Sequence, residues 1–382
     1  MPLPTLDDRP RVTIVTPSLN QGRYLRHALD SVLGQDYPRL ESVVVDGGSS
    51  DGSLEVLRSY GERISWISEP DRGQSDALNK GFRRARGEIL AWLNADDELA
   101  PGAVGRAVET LRARPEAGLV YGRGEILDED GRVMRPFAEI EPFSLWRLLH
   151  YLDYVLQPAT FFRAAALERA GPLDERLCWA MDWDLWIRLA AEAEVVFVDE
   201  VLGRSREYGA TKTATGGWRR VRELGRLARR HTERFWTPGV RMYALDTLGR
   251  RFPGRRTAAI VGRLARRVAT RLAAYPDGWL GPRGRLVVPR RWGGVSAVLE
   301  AHRLPEGRPL VVRIDGGGTV EQVRFEAPGR RAWSRRWPSA ADGGPFVEIA
   351  LESDFAFTSE QDPRLLSIRC VEVGPDGAGV EI

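Results

Sequence analysis

The sequence predicts an α/β protein in three parts: an open sheet with helices on both faces, then a helical segment, then a β-sandwich. Three observations predict it. Over the first part of the chain, short β-branched runs alternate with stretches of helical spacing, the pattern of a mostly parallel sheet. From Trp218 to Tyr275 there are 16 Arg, no Lys and 3 acidic residues, with apolar residues at helical intervals. After the Gly/Pro-rich stretch 276–284 only short strands and turn residues follow. The expected divisions are 1–215, 216–275 and 276–382. A length of 382 residues agrees with about two to three domains of roughly 150 residues each.

The elements follow in order. Residues 12–16 are a β-branched run ended by Pro17, and 24–33 place Leu25, Ala28, Leu29 and Val32 on one helical stripe. Residues 41–45 form the next buried strand, stopped by Asp46-Gly-Gly-Ser-Ser-Asp-Gly52, and a helix runs on to Tyr60. A short strand is expected at 64–68, a helix at 76–86, a strand at 88–93 and a helix at 101–114 with Pro101 in its first turn. A strand begins at Leu119, and 125–137 reads as a hairpin around Asp128-Glu-Asp-Gly131. The region 144–198 is mixed, with a strand at 161–163, a Trp-rich helix at 182–193 and a strand at 195–198. In the basic segment Val261, Leu264, Ala265, Val268 and Leu272 share a stripe, with Arg263, Arg266, Arg267 and Arg271 beside or opposite it. Strands at 310–314, 320–325, 346–351 and 366–373 complete the sandwich, and Gly316-Gly-Gly318 is a turn between two of them.

Composition narrows the function classes. At 43% hydrophobic and 29% charged residues the chain is globular, not disordered. No run approaches the ~20 apolar residues of a membrane span. The opening residues lack the pattern of a signal peptide. Two distant cysteines, Cys178 and Cys370, predict neither a disulfide framework nor a metal cage, so a cytoplasmic setting is expected. Net charge is +3, yet residues 218–275 carry +13 (16 basic minus 3 acidic), leaving −10 for the rest. Only Lys80 and Lys212 are lysine among 56 basic residues.

Four polar clusters fall at the C-terminal ends of the predicted strands, the edge where open α/β sheets bind ligands. They are Thr16-Pro-Ser-Leu-Asn20, the 46–52 turn, Asp71-Arg-Gly-Gln-Ser-Asp-Ala-Leu-Asn-Lys-Gly81 and Asn94-Ala-Asp96-Asp97. One carboxylate after a strand is an ordinary cap or turn residue; four clusters at one edge are harder to account for that way. Adjacent Asp96 and Asp97 repel unless a cation lies between them, and Mn²⁺ or Mg²⁺ with a diphosphate would relieve this. A solvated turn capping the next helix is the competing reading.

From Arg11 to Thr213 the chain resembles the inverting family 2 glycosyltransferases of the GT-A fold, a Rossmann-like mixed sheet. The resemblance rests on the ordered Thr-Pro-Ser-x-Asn, Val-Val-Asp-Gly-Gly-Ser-x-Asp-Gly, Gly-Gln-x-Asp-Ala-x-Asn-Lys-Gly and Leu-Asn-x-Asp-Asp motifs. It implies that Thr16, Pro17, Asn20 and Asp46 line a nucleotide pocket, with Asp46 on the base. It implies that Asp76, Asn79 and Lys80 flank ribose and diphosphate, and that Asp96 and Asp97 hold the metal and the ribose. In Met181-Asp182-Trp-Asp184-Leu-Trp186, Asp182 aligns with the catalytic base, while Met181 replaces the family's usual Glu; Asp184 reads as a helix-start residue. Gln157-Pro158 matches a pair placed near donor sugar or acceptor. Tyr208 stands where many relatives have a histidine that completes the metal shell. Lys212 in the same loop could close over the diphosphate, or be a solvated loop lysine.

Two regions keep two readings each. The basic segment 218–275 is either a peripheral contact with an anionic membrane or a packed linker with a solvated face; it carries no nucleic-acid recognition motif. In the sandwich, Trp292, Trp333 and Trp337 either stack on sugars or pack between sheets, and packing is the better reading. The chain is therefore expected to be an inverting, metal-dependent glycosyltransferase. It would move a sugar from a nucleotide-diphosphate donor to a glycan or lipid-linked acceptor, in cell-surface polysaccharide or glycolipid synthesis, in the cytoplasm or at the inner face of the plasma membrane. The alternative is a non-catalytic nucleotide-sugar or glycan-binding protein with a degenerate site.

Overall fold

The computed structural model describes residues 2–209, 212–252, 254–269, 272–275, 277, 279–316, 319–336, 345–357 and 366–375. The first part of the chain gives β1 (Val12–Ser18), α1 (Gly22–Leu33), β2 (Leu40–Asp46), α2 (Ser53–Ser59), β3 (Ser65–Ser68), α3 (Gln74–Arg84) and β4 (Ile89–Trp92). Next come β5 (Glu98–Leu99), α4 (Ala103–Ala113), β6 (Ala117–Leu127), β7 (Val133–Pro136), α5 (Leu145–His150), β8 (Thr160–Arg163) and α6 (Ala164–Ala170). They are followed by α7 (Met181–Glu192), β9 (Glu194–Arg206), α8 (Lys212–Thr215), α9 (Gly217–Thr232), α10 (Pro238–Arg251) and α11 (Arg255–Ala269). The chain divides into two compact units, 1–143 with 153–224, and 144–152 with 225–382.

The first unit is built on one mixed sheet in the order β3-β2-β1-β4-β8-β6-β9-β5, with β7 paired to β6. β3, β2, β1 and β4 are mutually parallel; β1 and β4 are fully buried, β2 over its last five residues, while β3 is the partly exposed edge strand. The expectation of a mostly parallel sheet is corrected beyond β4. There β8 enters antiparallel between β4 and β6, and β5 and β7 also pair antiparallel. The hairpin expected at 125–137 is present, turning at Gly131 with φ 85°.

Val12 and Ile14 of β1 pack with Ala28 and Val32 of α1, with Ala91 of β4 and with Val104 and Ala107 of α4 on one side of the sheet. α3 comes so close to β1 that a Cβ on Gly81 would lie 2.2 Å from Val15 Cγ1. Trp92, closing β4, stacks on Trp186 of α7 at 5.3 Å and 13°. Phe162 of β8 meets both rings at 6.2–6.3 Å. Because Trp186 lies one turn after Asp182, that stack fixes where the first turn of α7 stands.

The second unit holds α10, α11 and a β-sandwich. The sandwich strands are β10 (Trp279–Leu280), β11 (Arg283–Pro289), β12 (Gly294–Ala301), β13 (Leu310–Gly316), β14 (Thr319–Phe325), β15 (Gly329–Arg336), β16 (Phe346–Ser353) and β17 (Ile368–Gly374). They form two antiparallel sheets, β10-β17-β12-β15 and β11-β16-β13-β14. Alternate residues Val295, Ala297 and Leu299 face Val312, Ile314, Ile349 and Leu351 in one core. Trp333 is buried and Trp292 packs against this core, so both are structural. Trp337, Arg271 and the Gly317–Gly318 part of the expected turn lie outside the described residues. The expected stripe on α11 is not fully covered: Leu264 is 42% exposed and neighbouring Ile260 53%.

Candidate functional site

Parallel register aligns Ser18 with Asp46 and Asp46 with Ser68, which brings the first two polar clusters level at one edge. Asn20 adopts φ 53°, a left-handed conformation that asparagine tolerates. Its N–H then donates to Ser49 Oγ at 2.7 Å, and its side-chain oxygen accepts the Ser50 N–H at 2.9 Å. Asp46 is fully buried. Its Oδ1 accepts from Ser49 Oγ at 2.5 Å, and its Oδ2 from the N–H groups of Gly48 and Ser49 and from Ser68 Oγ at 2.7 Å. The carboxylate expected to meet a base is thus spent on shaping the 46–49 turn. Gly47 lets the Asp71 side chain come close, since a Cβ there would sit 2.4 Å from Asp71 Oδ2. Thr16 Oγ1 and Ser18 Oγ are buried and have no hydrogen-bond partner among the described residues.

The third cluster opens α3. Asp76 accepts from the Arg72 N–H and from its guanidinium, both at 3.1 Å, and the latter bond foremost holds the carboxyl below its usual range. Arg72 also pairs with Glu175 at 2.6 Å. Asn79 accepts the Leu173 N–H at 3.0 Å and donates to the Leu173 carbonyl, stitching α3 to the loop before α7. Lys80 Nζ lies 3.1 Å from Glu69, 3.6 Å from Asp76 and 2.9 Å from the Pro70 carbonyl. Its charge is already matched by carboxylates.

At the end of β4, Asn94 is the hub of a side-chain chain. Lys212 Nζ donates to Gln74 at 3.0 Å, and Gln74 donates to Asn94 at 2.6 Å. Asn94 donates to Asp97 at 2.9 Å and to Gln157 at 3.0 Å, while Gln157 donates to the Trp92 carbonyl at 2.8 Å. Two of the four clusters, Gln157 and Lys212 are therefore linked, although Lys212 and Gln74 lie 138 positions apart.

The two adjacent aspartates are unlike each other. Asp97 is 4% exposed, and its two oxygens accept from the Arg206 N–H at 3.0 Å and from Asn94. Burial, and after it the charge of Asp96, pushes its pKa up to about 7. Asp96 is more open, and Tyr208 donates its hydroxyl to Asp96 Oδ2 at 2.8 Å. Burial first, then Asp96, raises the Tyr208 pKa, so the phenol stays protonated. Arg206 threads behind the pair. Its guanidinium donates to the carbonyls of Asp96 and Asp128 at 2.9 Å, pairs with Glu98 at 2.6 Å and lies 5.1 Å over the Tyr24 ring.

No cluster of three or more His, Cys, Asp or Glu suited to a metal occurs among the described residues. Asp97 has no uncommitted oxygen, and Asp96 can offer one. That donor set suits a hard divalent ion held by one carboxylate together with substrate phosphates and water.

Asp182 is the second residue of α7, and its Oδ1 accepts the Trp183 N–H at 2.8 Å. Burial raises its pKa, against the lowering effect of Lys212 and Arg220. Met181 is buried and its Sδ accepts from Ser75 Oγ at 3.0 Å, tying α7 to α3. Asp184 is 1% exposed and paired with Arg188 at 2.8 Å, in keeping with a structural role. Sequence reading missed Asp153, whose pKa burial and then Asp182 push well up. It also missed Glu223 of α9. One of its oxygens accepts the N–H groups of Cys178, Trp179 and Ala180 at 2.9, 2.6 and 3.0 Å, just ahead of α7. The available signal was its isolation, one of 3 acidic residues among 16 Arg.

Comparison with known proteins matches residues 13–169 to the family described as glycosyl transferase family 2. An uncharacterised glycosyltransferase of Rickettsia typhi is 32% identical over 217 residues, which cover 54% of this chain and 67% of that protein. One of Mycobacterium tuberculosis is 31% identical over 228 residues, covering 58% of this chain and 86% of that protein. Among solved structures, the mannosyltransferase PcManGT of Pyrobaculum calidifontis, in complex with GDP-Man and Mn²⁺, aligns with TM-score 0.48 and 22% identity, over 70% of this chain and 83% of that one.

Proposed function

Because the chain belongs to glycosyl transferase family 2, we propose that this glycosyltransferase of GT-A fold is inverting, uses a nucleoside-diphosphate sugar and works with a divalent cation. The observation that carries the reading is the hydrogen-bonded path from Lys212 through Gln74 and Asn94 to Gln157. It joins a cation, the metal-motif loop and the start of α3 at one sheet edge, beside the helix that bears Asp182. Nothing in the comparisons favours a non-catalytic protein.

In this reading the Thr16–Asn20 and 46–49 turns form the nucleoside wall. Thr16 and Ser18 have hydroxyls to offer there; Asp46 keeps the turn in shape. Asp76, Asn79 and Lys80 act as a braced wall of α3, and Lys212, exposed and held by Gln74, is the cation that meets the diphosphate. Asp96 is the residue that would hold Mn²⁺ or Mg²⁺, and Asp97 orients the loop from behind. The ion, when bound, supplies neutralisation of charge on the departing diphosphate. Asp182 takes the proton of an acceptor hydroxyl as that oxygen bonds to the anomeric carbon. The bond from that carbon to the diphosphate breaks on the opposite side, its electron pair leaving with the phosphate oxygen, so the configuration inverts.

The acceptor is proposed to be lipid-linked or a surface glycan, met at an anionic membrane. Trp236, Phe252, Ile260 and Leu264 are 42–57% exposed in the Arg-rich helical segment, a combination suited to lipid headgroups. No helix among the described residues is long and apolar enough to cross a membrane.

Calorimetric titration with UDP, GDP and dTDP, with and without Mn²⁺, tests the donor site. The expected result is one preferred nucleotide whose binding needs the ion and is lost in Asp96→Ala. A folded protein that binds none of them overturns the reading.

A further inference from the structure

Lys212 opens α8, a helix of four residues. One turn of helix is too short to hold its own place in water, so what fixes Lys212 comes from outside α8. A contact at each end of the residue does so. At the tip of the side chain, Nζ donates to Gln74 of α3 at 3.0 Å. At the backbone, the Lys212 carbonyl accepts the indole N–H of Trp179 at 3.1 Å, together with the Thr215 hydroxyl at 3.2 Å.

Trp179 is half-buried in the loop ahead of α7, and its ring lies against Gly216, the residue between α8 and α9. A Cβ on Gly216 would stand 2.7 Å from the indole nitrogen and 3.1 Å from Cδ1, so the absence of a side chain lets ring and chain come this close. The backbone N–H of Trp179 goes elsewhere, to Glu223 at 2.6 Å, beside the amides of Cys178 and Ala180. That end of the residue serves α7; the indole end serves Lys212.

The two supports of Lys212 stand on one base. Asn79 of α3 exchanges two hydrogen bonds of 3.0 Å with the backbone of Leu173, and Ser75 donates to Met181 at 3.0 Å. The loop that carries Trp179 is therefore fastened at both its ends to α3, the helix that also carries Gln74. Neither fastening involves Lys212, and the lysine is strung between the two supports.

We propose that Trp179 is a positioning residue for the diphosphate: by holding the Lys212 carbonyl it sets where the Lys212 ammonium can reach. This rests on the reading of Lys212 as the cation that meets the diphosphate. A lysine side chain is long and flexible, so the placement of its backbone decides how much freedom it gives up to meet an anion. When the diphosphate arrives, Nζ exchanges Gln74 for phosphate oxygens, and the indole bond is the support that stays.

The test is calorimetric titration of the full chain with UDP, GDP and dTDP, each with Mn²⁺, in the wild type, Trp179→Phe, Lys212→Ala and the double variant. Trp179→Phe keeps a ring against Gly216 and loses the N–H. Lys212→Ala removes the ammonium and leaves the carbonyl, so the indole bond survives in it. Trp179→Phe is expected to weaken the preferred nucleotide by about threefold to tenfold, and to change nothing further in the Lys212→Ala background. A residue that only propped the fold, or that touched the nucleotide itself, would weaken binding in both backgrounds. Equal weakening in both overturns the inference, and so does unchanged affinity in folded Trp179→Phe. Should Trp179→Phe fail to fold, as judged by near-ultraviolet circular dichroism, Gly216→Ala takes its place in the same cycle, because its methyl group displaces the indole and leaves the N–H intact. Unchanged affinity in Lys212→Ala alone removes the reading of Lys212 as the diphosphate's cation and the inference with it, a failure told apart from the others because Trp179 is untouched in that variant.

Discussion

One oxygen of Glu223 accepts the N–H of Ala180 at 3.0 Å, two positions ahead of Asp182. The same oxygen takes the N–H groups of Cys178 and Trp179, so three amides before α7 converge on a single buried carboxylate. A negative charge there also complements the positive end of the α7 dipole. Glu223→Ala should lose about 1.5–3 kcal/mol of stability, the range for hydrogen bonds to a charged group. Turnover should drop about tenfold to a hundredfold through misplacement of Asp182, with little change in nucleotide affinity. Chemical denaturation and calorimetry separate the two effects.

Tyr208 occupies one of the two oxygens of Asp96 and leaves the other for a metal. Tyr208→His should replace a neutral phenol with a true ligand and tighten Mn²⁺ binding by about tenfold in the presence of UDP or GDP. Tyr208→Phe should tighten it less, by releasing the Asp96 oxygen. Electron paramagnetic resonance of free Mn²⁺ gives the affinities directly.

The Lys212–Gln74–Asn94 path makes a prediction about coupling. Lys212→Ala should weaken binding of the preferred nucleoside diphosphate by about tenfold, or ~1.4 kcal/mol. Gln74→Ala should weaken it by less. The double substitution should fall short of the sum, because both act through one contact. A strictly additive double mutant would mean the two side chains work separately.

Burial raises the pKa values of Asp97, Asp153 and Asp182 in the folded protein. The folded state therefore holds their protons more tightly than the unfolded chain does. The stability they contribute is complete below the ordinary carboxylate range and is lost as pH rises through the folded values, about 7 for Asp97. Melting temperature should decline between about pH 4 and pH 7 from these groups. Asp153→Asn should flatten that decline and raise the melting point near neutrality.

The exposed apolar residues of the Arg-rich segment predict association with vesicles rich in phosphatidylglycerol but not with neutral ones. Flotation should show binding that weakens with salt and drops in a Trp236→Ala/Leu264→Ala variant. Equal binding to neutral vesicles would remove the electrostatic part of the reading.

The parallel half of the first sheet was legible because β-branched runs such as 12–16 and 41–45 declare buried strands by themselves. The antiparallel entry of β8 was not, since residues 160–163 say nothing locally about their partners. The same limit applies within the site. Motif spacing singled out Asp46, Asn79 and Lys80, which stand at the end of β2 and within α3. It could not tell that each is turned inward onto Ser49, Leu173 and Glu69. Glu223 carries no motif, and its role comes from partners 43 to 45 positions away. Only the fold creates such neighbours.

The bond from the Arg206 N–H to Asp97 spans 109 positions, and it imposes an order on synthesis. At about 5–20 residues per second, roughly 5–20 seconds separate the emergence of Asp97 from that of its donor. Throughout that interval the growing chain already carries β1 to β4 but has no means of enclosing the Asp97 carboxylate. The Asp97 carboxylate thus lacks its Arg206 partner until β9 has been made, and a ribosome that stalls before residue 206 displays β1 to β4 with that carboxylate still waiting for its distant donor.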